Sequence, residues 1–307
     1  MTDAYRTLVV FNPKSSGGST GRRRQAIEAA IRGAVGTFDL AETTGPGHAT
    51  ELSRQALKDG FEMVVAVGGD GTIHEVVNGF FDGDQTVVPQ PILGLVPSGT
   101  GGDYRKTWGL SNDAEAAARR LGGRDARVVD AGRITWTEDG ERRSRYFANI
   151  ATFGLGGHTS KMANRQTKMF GGRVSFFVAG VRALLGWRNQ PVSLVTDGGP
   201  ARAAELTVAA CCIGRACGGG MHFAPNADPS DGLFDIVSLE GLSRLEMAGM
   251  TSLYSGKHLS HPKVAFWQGR RVVADGTPEC LIEADGEVFG SLPATFEIVP
   301  AAFRVKV

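Results

Sequence analysis

The run Val64-Val65-Ala66-Val67-Gly68-Gly69-Asp70-Gly71-Thr72-Ile73-His74-Glu75-Val76-Val77-Asn78-Gly79 changes character twice. A β-branched apolar stretch stops at Gly-Gly-Asp-Gly-Thr, and a helix-like pattern follows. This order predicts a buried strand, a loop that exposes its backbone, and a helix N-terminus. Glycines let the main chain approach a ligand closely, and the first turn of a helix carries N–H groups with no intrahelical partner, so the junction suits phosphate. Asp70 conflicts with that role, because an acid repels phosphate unless a cation lies between them. A magnesium-bound nucleotide removes the conflict. The residues alone also allow a tight strand–helix turn with a capping Asp.

Three further segments share the design or complement it. Leu93-Gly94-Leu95-Val96-Pro97-Ser98-Gly99-Thr100-Gly101-Gly102-Asp103 is again a strand, a glycine-rich turn, a hydroxyl and an acid. Leu8-Val9-Val10-Phe11-Asn12-Pro13-Lys14-Ser15-Ser16-Gly17-Gly18 is a strand running into a loop of small residues, and Ala284-Asp285-Gly286-Glu287 comes late in the chain. Together, in this order, they resemble the diacylglycerol kinase catalytic family, which includes bacterial soluble lipid kinases and the sphingosine and ceramide kinases. The resemblance covers nearly the whole chain, with Gly-Gly-Asp-Gly-Thr followed by Glu-x-x-Asn-Gly as its most specific block. One departure stands out. The family usually has Asn where this chain has Gly102, which removes a side-chain amide from the second loop.

At 307 residues the chain can hold two domains or one large one with an ample core. Glycine, at 43 residues, is roughly twice its average share of about 7% and clusters at strand ends, which fits many tight loops. A net charge of +1 argues against nucleic-acid binding through the overall field. Cys211, Cys212, Cys217 and Cys280 lack paired C-x-x-C spacing and read as reduced core residues of a cytoplasmic protein. A strand begins by Leu8, leaving no room for a secretory segment, and no apolar run approaches the ~20 residues that span a bilayer. The chain is therefore expected to be soluble.

Up to about residue 126, strand and helix patterns alternate. Strands are expected at Thr7–Phe11, Thr37–Ala41, Met63–Val67 and Ile92–Val96, and helices around Arg22–Arg32, His48–Lys58, Thr72–Phe81 and Ala114–Leu121. Such alternation implies an α/β nucleotide-binding domain over 1–126, a doubly wound parallel sheet with ligands at the carboxyl ends of its strands. All three glycine loops follow strands, which puts them on that edge together. From residue 127 to 307 the texture is mainly β. Val128–Trp136 and Arg145–Ala151 flank a turn signal, and further runs lie at Val192–Val195, Leu206–Ile213, Phe234–Leu239, Val264–Trp267, Cys280–Glu283 and Thr295–Val299. Helical stretches fall near Ser160–Leu185 and Ser243–Tyr254. The half reads as a mainly antiparallel lipid-substrate domain, which the resemblance makes a β-sandwich, and its last strand is allowed to return to the first domain.

The resemblance also implies roles. ATP would lie on the backbone of Gly68, Gly69, Gly71 and Thr72, aided by Asn12, Thr43 and Thr100, with Asp70 facing the Mg2+–nucleotide complex. Thr43 equally suits a helix N-cap region before Ala49. As a loop acid, Asp70 is expected to be removable with little loss of stability. Glu287 would be the base that takes the proton of the lipid hydroxyl, with Asp285 and Asp103 as supporting acids, although Asp-Gly is also an ordinary hairpin turn. Asp228-Pro229-Ser230-Asp231-Gly232-Leu233 resembles a loop holding a second Mg2+ through the Asp231 carboxylate and the carbonyls of Asp228 and Leu233, and it also reads as a plain Asx turn.

Other motifs lead nowhere. His74-Glu75-Val76-Val77-Asn78 lacks the second histidine of a zinc-protease helix, and Gly17-Gly18-Ser19-Thr20-Gly21 lies too far from its strand for a nucleophile elbow. No Gly-x-x-x-x-Gly-Lys-Ser/Thr loop exists, which excludes a P-loop enzyme. The expected function is an ATP- and Mg2+-dependent lipid kinase acting on a diacylglycerol-like or sphingoid hydroxyl. An NAD kinase-like phosphotransferase and a non-catalytic lipid- or nucleotide-binding homologue are the alternatives. A last feature concerns partners. From Arg142 to Thr196 there is no Asp or Glu, where composition gives roughly six, and nine basic residues lie among Phe170, Phe176, Phe177 and Trp187. This pattern suits transient docking on an anionic bilayer through residues such as Arg165, Lys168 and Arg173, and equally a core helix with a cationic solvent face. A homodimer is also allowed.

Overall fold

The protein is described by a computed structural model covering residues 5–99, 102–166, 183 and 186–307. It divides into two compact units, Met1–Ala131 with Pro300–Val307, and Gly132–Val299.

The first unit is built on a parallel sheet. Its strands Asp39–Glu42, Thr7–Phe11, Met63–Gly68 and Ile92–Pro97 lie side by side in that order. The last three are buried along their whole length, as strands covered by helices on both faces must be, which is why they read as unbroken apolar runs. Asp39–Glu42 forms the edge and carries an exposed acid at each end, which discourages further pairing. It starts two residues later than expected because Gly36, at φ 76, ends the preceding helix Arg24–Val35. That helix buries Ile27, Ile31 and Val35, one per turn. Beyond Ile92–Pro97 the sheet gains the end of the strand Ala294–Lys306, where Arg304, Val305 and Lys306 pair in parallel with Ile92, Leu93 and Gly94. The Asp130 carboxylate accepts the Ala301 amide at 2.8 Å and anchors this returning segment.

The second unit is antiparallel. The central strand Arg202–Cys212 pairs with Gln190–Thr196, Ile150–Gly154 and Phe234–Glu240, and Ile150–Gly154 pairs in turn with Leu281–Ala284. Phe147 stacks on Phe234 and Phe153 on Phe296 in its core. The hairpin Arg127–Glu138/Glu141–Phe147 turns through Asp139 at φ 52 and Gly140 at φ 79, the two positive values that a two-residue turn requires. Strands Arg271–Gly276 and Glu287–Ser291 were not expected, since both are short and interrupted by Gly or acids. The helical stretch near Ser243–Tyr254 is a single turn, Arg244–Ala248, with a full capping box from Ser243 and Glu246, and then a 3-10 turn. The other one begins as the helix Leu155–Gln166. Its remainder, with Lys168, Phe170, Arg173, Phe176 and Phe177, lies outside the described residues, as does the side chain of Arg165. Among the described residues no helix is long and apolar enough to cross a membrane. The four cysteines are free, and burial pushes the Cys280 thiol up to about 11.

His258 pins one loop of this unit. It is fully buried, and its Nε2 donates to the Phe223 carbonyl at 3.0 Å while Nδ1 has no partner. Burial lowers its pKa below the ordinary 6.5, and the bond to Phe223 offsets this only in part. Protonation would create an unpaired buried cation, so the folded state binds its proton at lower pH than the unfolded chain does. The stability contribution is therefore complete above about pH 6.5 and is lost as pH falls below it. Urea unfolding at pH 7.5 and 5.5 should show this loss in the wild type and a smaller one in His258→Asn. Equal losses would remove His258 as the cause.

Candidate functional site

The three strand-end loops of the first unit meet through named bonds. The Asn12 amide N–H donates to the Val67 carbonyl at 3.0 Å and that of Ser98 to the Gly68 carbonyl at 2.7 Å. The Asn12 side chain donates to the Thr72 hydroxyl at 2.9 Å, and the buried Thr20 hydroxyl shares hydrogen bonds with those of Ser15 and Ser98. Thr43 is brought to the same edge by its amide, which donates to the Phe11 carbonyl at 2.9 Å. A Cβ on Gly99 would stand 2.6 Å from the Gly69 Cα, so only glycine lets these two loops touch. Asn12, Thr43, Gly68, Gly69, Asp70, Gly71 and Thr72 are thus gathered at the carboxyl ends of the parallel strands. Thr100 lies outside the described residues.

Asp70 is the link between the second and third loops. One of its oxygens accepts the Asp103 amide and the other the Tyr104 amide, each at 3.2 Å. These are the first two N–H groups of the helix Asp103–Thr107, whose N-cap residue Gly102 offers no side chain. A carboxylate at a helix start is favourable by charge and by hydrogen bonding. Asp70 is thus a cap as well as a loop acid, and its removal costs these two bonds where the sequence alone predicts little loss of stability. The neighbouring Asp103 is buried and paired with the Lys106 ammonium at 2.5 Å. Glu75 does the same for the helix His48–Lys58, its two oxygens accepting the amides of Gly47 and Ala49 at 2.9 and 3.0 Å. That helix start is capped by Glu75 and not by Thr43, which answers one alternative left open for Thr43.

The second unit holds the other acids. Asp285 and Gly286, at φ 53 and φ 95, form the two-residue turn between Leu281–Ala284 and Glu287–Ser291. The Asp285 carboxylate accepts three consecutive amides, those of Ala148, Asn149 and Ile150, at 3.0 to 3.3 Å. Glu287 is exposed at the start of its strand. In the loop before Phe234, the Asp228 carboxylate accepts the Ser230 amide and hydroxyl, and Asp231 accepts the Leu233 amide. This loop is closed by two successive Asx turns. Among the described residues no group of three or more His, Cys, Asp or Glu is arranged to hold a metal.

Residues 6–134 match the family model of the diacylglycerol kinase catalytic domain, and residues 149–307 match that of the YegS C-terminal NAD kinase beta sandwich-like domain. The chain belongs to the diacylglycerol kinase family. A diacylglycerol kinase of Mycobacterium tuberculosis is 31% identical over 271 residues, 87% of this chain and 84% of that protein. One from Staphylococcus carnosus is 28% identical over 294 residues, 95% of this chain and 91% of its own length. A crystal structure of a diacylglycerol kinase from Bacillus anthracis shares the fold with a TM-score of 0.72 at 19% identity, covering 100% of this chain and 98% of that one. Yeast NADH kinase, solved with NADH, reaches 0.54 at 9% identity over 99% of this chain and 83% of its own. Membership in the diacylglycerol kinase family supports a phosphotransferase of the lipid-kinase type.

The kinase-family block Glu75-x-x-Asn78-Gly79 acquires a structural explanation. Glu75 and Gly79 are four residues apart, on one helix face. A Cβ on Gly79 would come within 2.5 Å of the Thr50 carbonyl and 2.6 Å of the Ser53 Cβ, so this glycine lets helix Asp70–Gly79 lie directly on His48–Lys58. The departure at Gly102 is also legible. Its φ of 58 and ψ of 45 are left-handed, a conformation that Gly and Asn both tolerate, but a Cβ here would stand 2.6 Å from the Arg105 Nε, so the Arg105 side chain occupies the space that an Asn would need. Sequence reading missed Glu75 as a cap and Glu283 altogether. The i, i+4 pairing of an acid with a glycine was the available signal for the first.

Asp70→Ala should lower stability by about 1 kcal/mol, the usual worth of a lost cap, in urea unfolding of the whole chain. An unchanged midpoint would show that the Asp103 and Tyr104 amides find other acceptors.

Proposed function

We propose that the chain is an ATP- and Mg2+-dependent lipid kinase that phosphorylates a hydroxyl of a diacylglycerol-like or sphingoid lipid. The observation that carries this reading is the convergence of three glycine-rich loops at one sheet edge, locked by the Asp70 carboxylate. Family membership points the same way. The loops fit a nucleotide: among the described residues beyond its chain neighbours, the nearest atom to where a Cβ on Gly69 would stand is the Gly99 Cα at 3.6 Å, which leaves room for a phosphate at the backbone. Asp70 and Asp103 supply oxygen donors, the kind that a hard cation takes. When bound, magnesium-ATP supplies the phosphoryl group and neutralises charge on it.

The chain's own residues then have separate tasks. Asn12 and Thr72 hold the first two loops together, while Thr43, and Thr100 by the family resemblance, would contact the nucleotide. Lys106 pairs with the Asp103 carboxylate and orients it. Glu287, exposed at its turn, is the base that takes the proton of the acceptor hydroxyl, and Asp285 holds that turn to the strand Ile150–Gly154 without moving a proton itself. Asp228, Asp231 and Leu233 offer an oxygen-only set for a second Mg2+, at the cost of part of their present Asx bonding. The proposed partner surface is an anionic bilayer. Arg142, Arg143, Arg145, Lys161 and Arg188 of the acid-free stretch are exposed, whereas Trp187 is buried in the core of its unit and does not serve as an anchor.

The test is ADP release from ATP and Mg2+ with a panel of dispersed diacylglycerols and sphingoid bases, and with NAD as the competing acceptor. Turnover on a lipid and none on NAD is expected, and the reverse would install the NAD kinase alternative. Glu287→Gln should lower lipid turnover by about 10²- to 10⁴-fold, the usual worth of a positioned base, with ATP affinity intact. Asp70→Ala should abolish turnover. No turnover of any acceptor by the wild type would favour a binding protein.

A further inference from the structure

We propose that Glu283 is a positioning residue that, with Thr152, holds the turn Ala284–Glu287 in place and so fixes where the Glu287 carboxylate stands. The proposal rests on the reading of Glu287 as the base. Glu283 lies on the strand leading into the turn and is only 7% exposed. A carboxylate taken that far out of water is strongly unfavourable unless its oxygens are hydrogen-bonded. Both are. Oε2 accepts the Thr152 hydroxyl at 2.8 Å, and Oε1 accepts the Gly286 amide at 2.5 Å.

The two bonds act in different directions. Glu283 and Thr152 are register partners on adjacent antiparallel strands, so their side chains lie side by side, and Thr152 is itself buried. The bond between them ties the turn-bearing strand to Ile150–Gly154. The bond to Gly286 reaches forward into the turn and seizes its most permissive residue, the glycine at φ 95 directly before Glu287. Asp285 grips the start of the same strand, Ile150–Gly154, through three amides. Alternate residues, 283 and 285, thus clamp one turn from two points, and the third member of the series, 287, is left exposed. A carboxylate suits the inner position because both of its partners are donors and it accepts at two oxygens. A glutamine can keep both bonds, since the Thr152 hydroxyl rotates to accept from the new amide. An alanine keeps neither.

The experiment measures kcat and KM for ATP, with a short-chain diacylglycerol dispersed in detergent as acceptor. The variants are Glu283→Ala, Glu283→Gln and Thr152→Val, each alone and combined with Glu287→Gln. Glu283→Ala should lower kcat by about 10- to 100-fold, the effect of an ångström-scale misplacement, and leave KM for ATP unchanged. Glu283→Gln should stay within about threefold of wild type. In the Glu287→Gln background, Glu283→Ala should lower the residual rate by less than about twofold, because the group it positions is already gone. Full multiplication of the two losses, a parallel rise in KM for ATP, or a Glu283→Gln as slow as the alanine would each overturn the proposal. Thr152→Val, nearly the same shape without the donor, carries the same comparison if Glu283→Ala does not fold. Wild-type turnover by Glu287→Gln alone would instead overturn the base reading, and with it the ground for this one.

Discussion

Backbone N–H groups left over where strands end and helices begin must find acceptors, and acids distant in sequence supply them here. Asp70 serves Asp103 and Tyr104, Glu75 serves Gly47 and Ala49, and Asp285 serves Ala148, Asn149 and Ile150. A lost cap of this kind costs about 1 kcal/mol, which is a noticeable part of a domain's net stability. The positions of the loops follow from these bonds. Asp70 in particular makes one geometric object out of two glycine-rich turns that are more than thirty residues apart.

The same economy explains why several acids implied by the family resemblance look unlike free catalytic groups. Asp70 and Asp285 spend their oxygens on main-chain donors, and Asp103 on Lys106. A carboxylate fixed in this way has a single orientation, which is what electrostatic preorganisation requires. Of Asp70, Asp103, Asp285 and Glu287, the last is the exposed one. In the proposed reading Asp70, Asp103 and Asp285, with Glu283, hold the loops and Glu287 takes the proton.

Much of the fold was legible because its strongest elements obey simple periodicities. Thr7–Phe11, Met63–Gly68 and Ile92–Pro97 are largely apolar runs that each lead into a loop of small residues, and the helix His48–Lys58 was readable to the residue from its apolar face. The hairpin through Asp139-Gly140 announced itself by turn chemistry. What stayed hidden depends on contacts between segments far apart. Glu75 as the cap of a helix that precedes it, Gly79 as the point where two helices touch, and Glu283 as a buried acid inside an otherwise apolar strand all need the third dimension. Arg271–Gly276 forms a strand because Gln190–Thr196 lies on one side and Ala294–Lys306 on the other, not because of its own composition.

The return of Pro300–Val307 into the first sheet has a temporal consequence. The strand Ile92–Pro97 receives its outer neighbour only from Arg304–Lys306, about two hundred residues later in synthesis. At the usual 5–20 residues per second, that open edge is unpaired for roughly 10–40 s while the second unit is being made. Open apolar edges are templates for pairing with other chains. Until Arg304–Lys306 arrive, the nascent first unit carries an open edge of that kind.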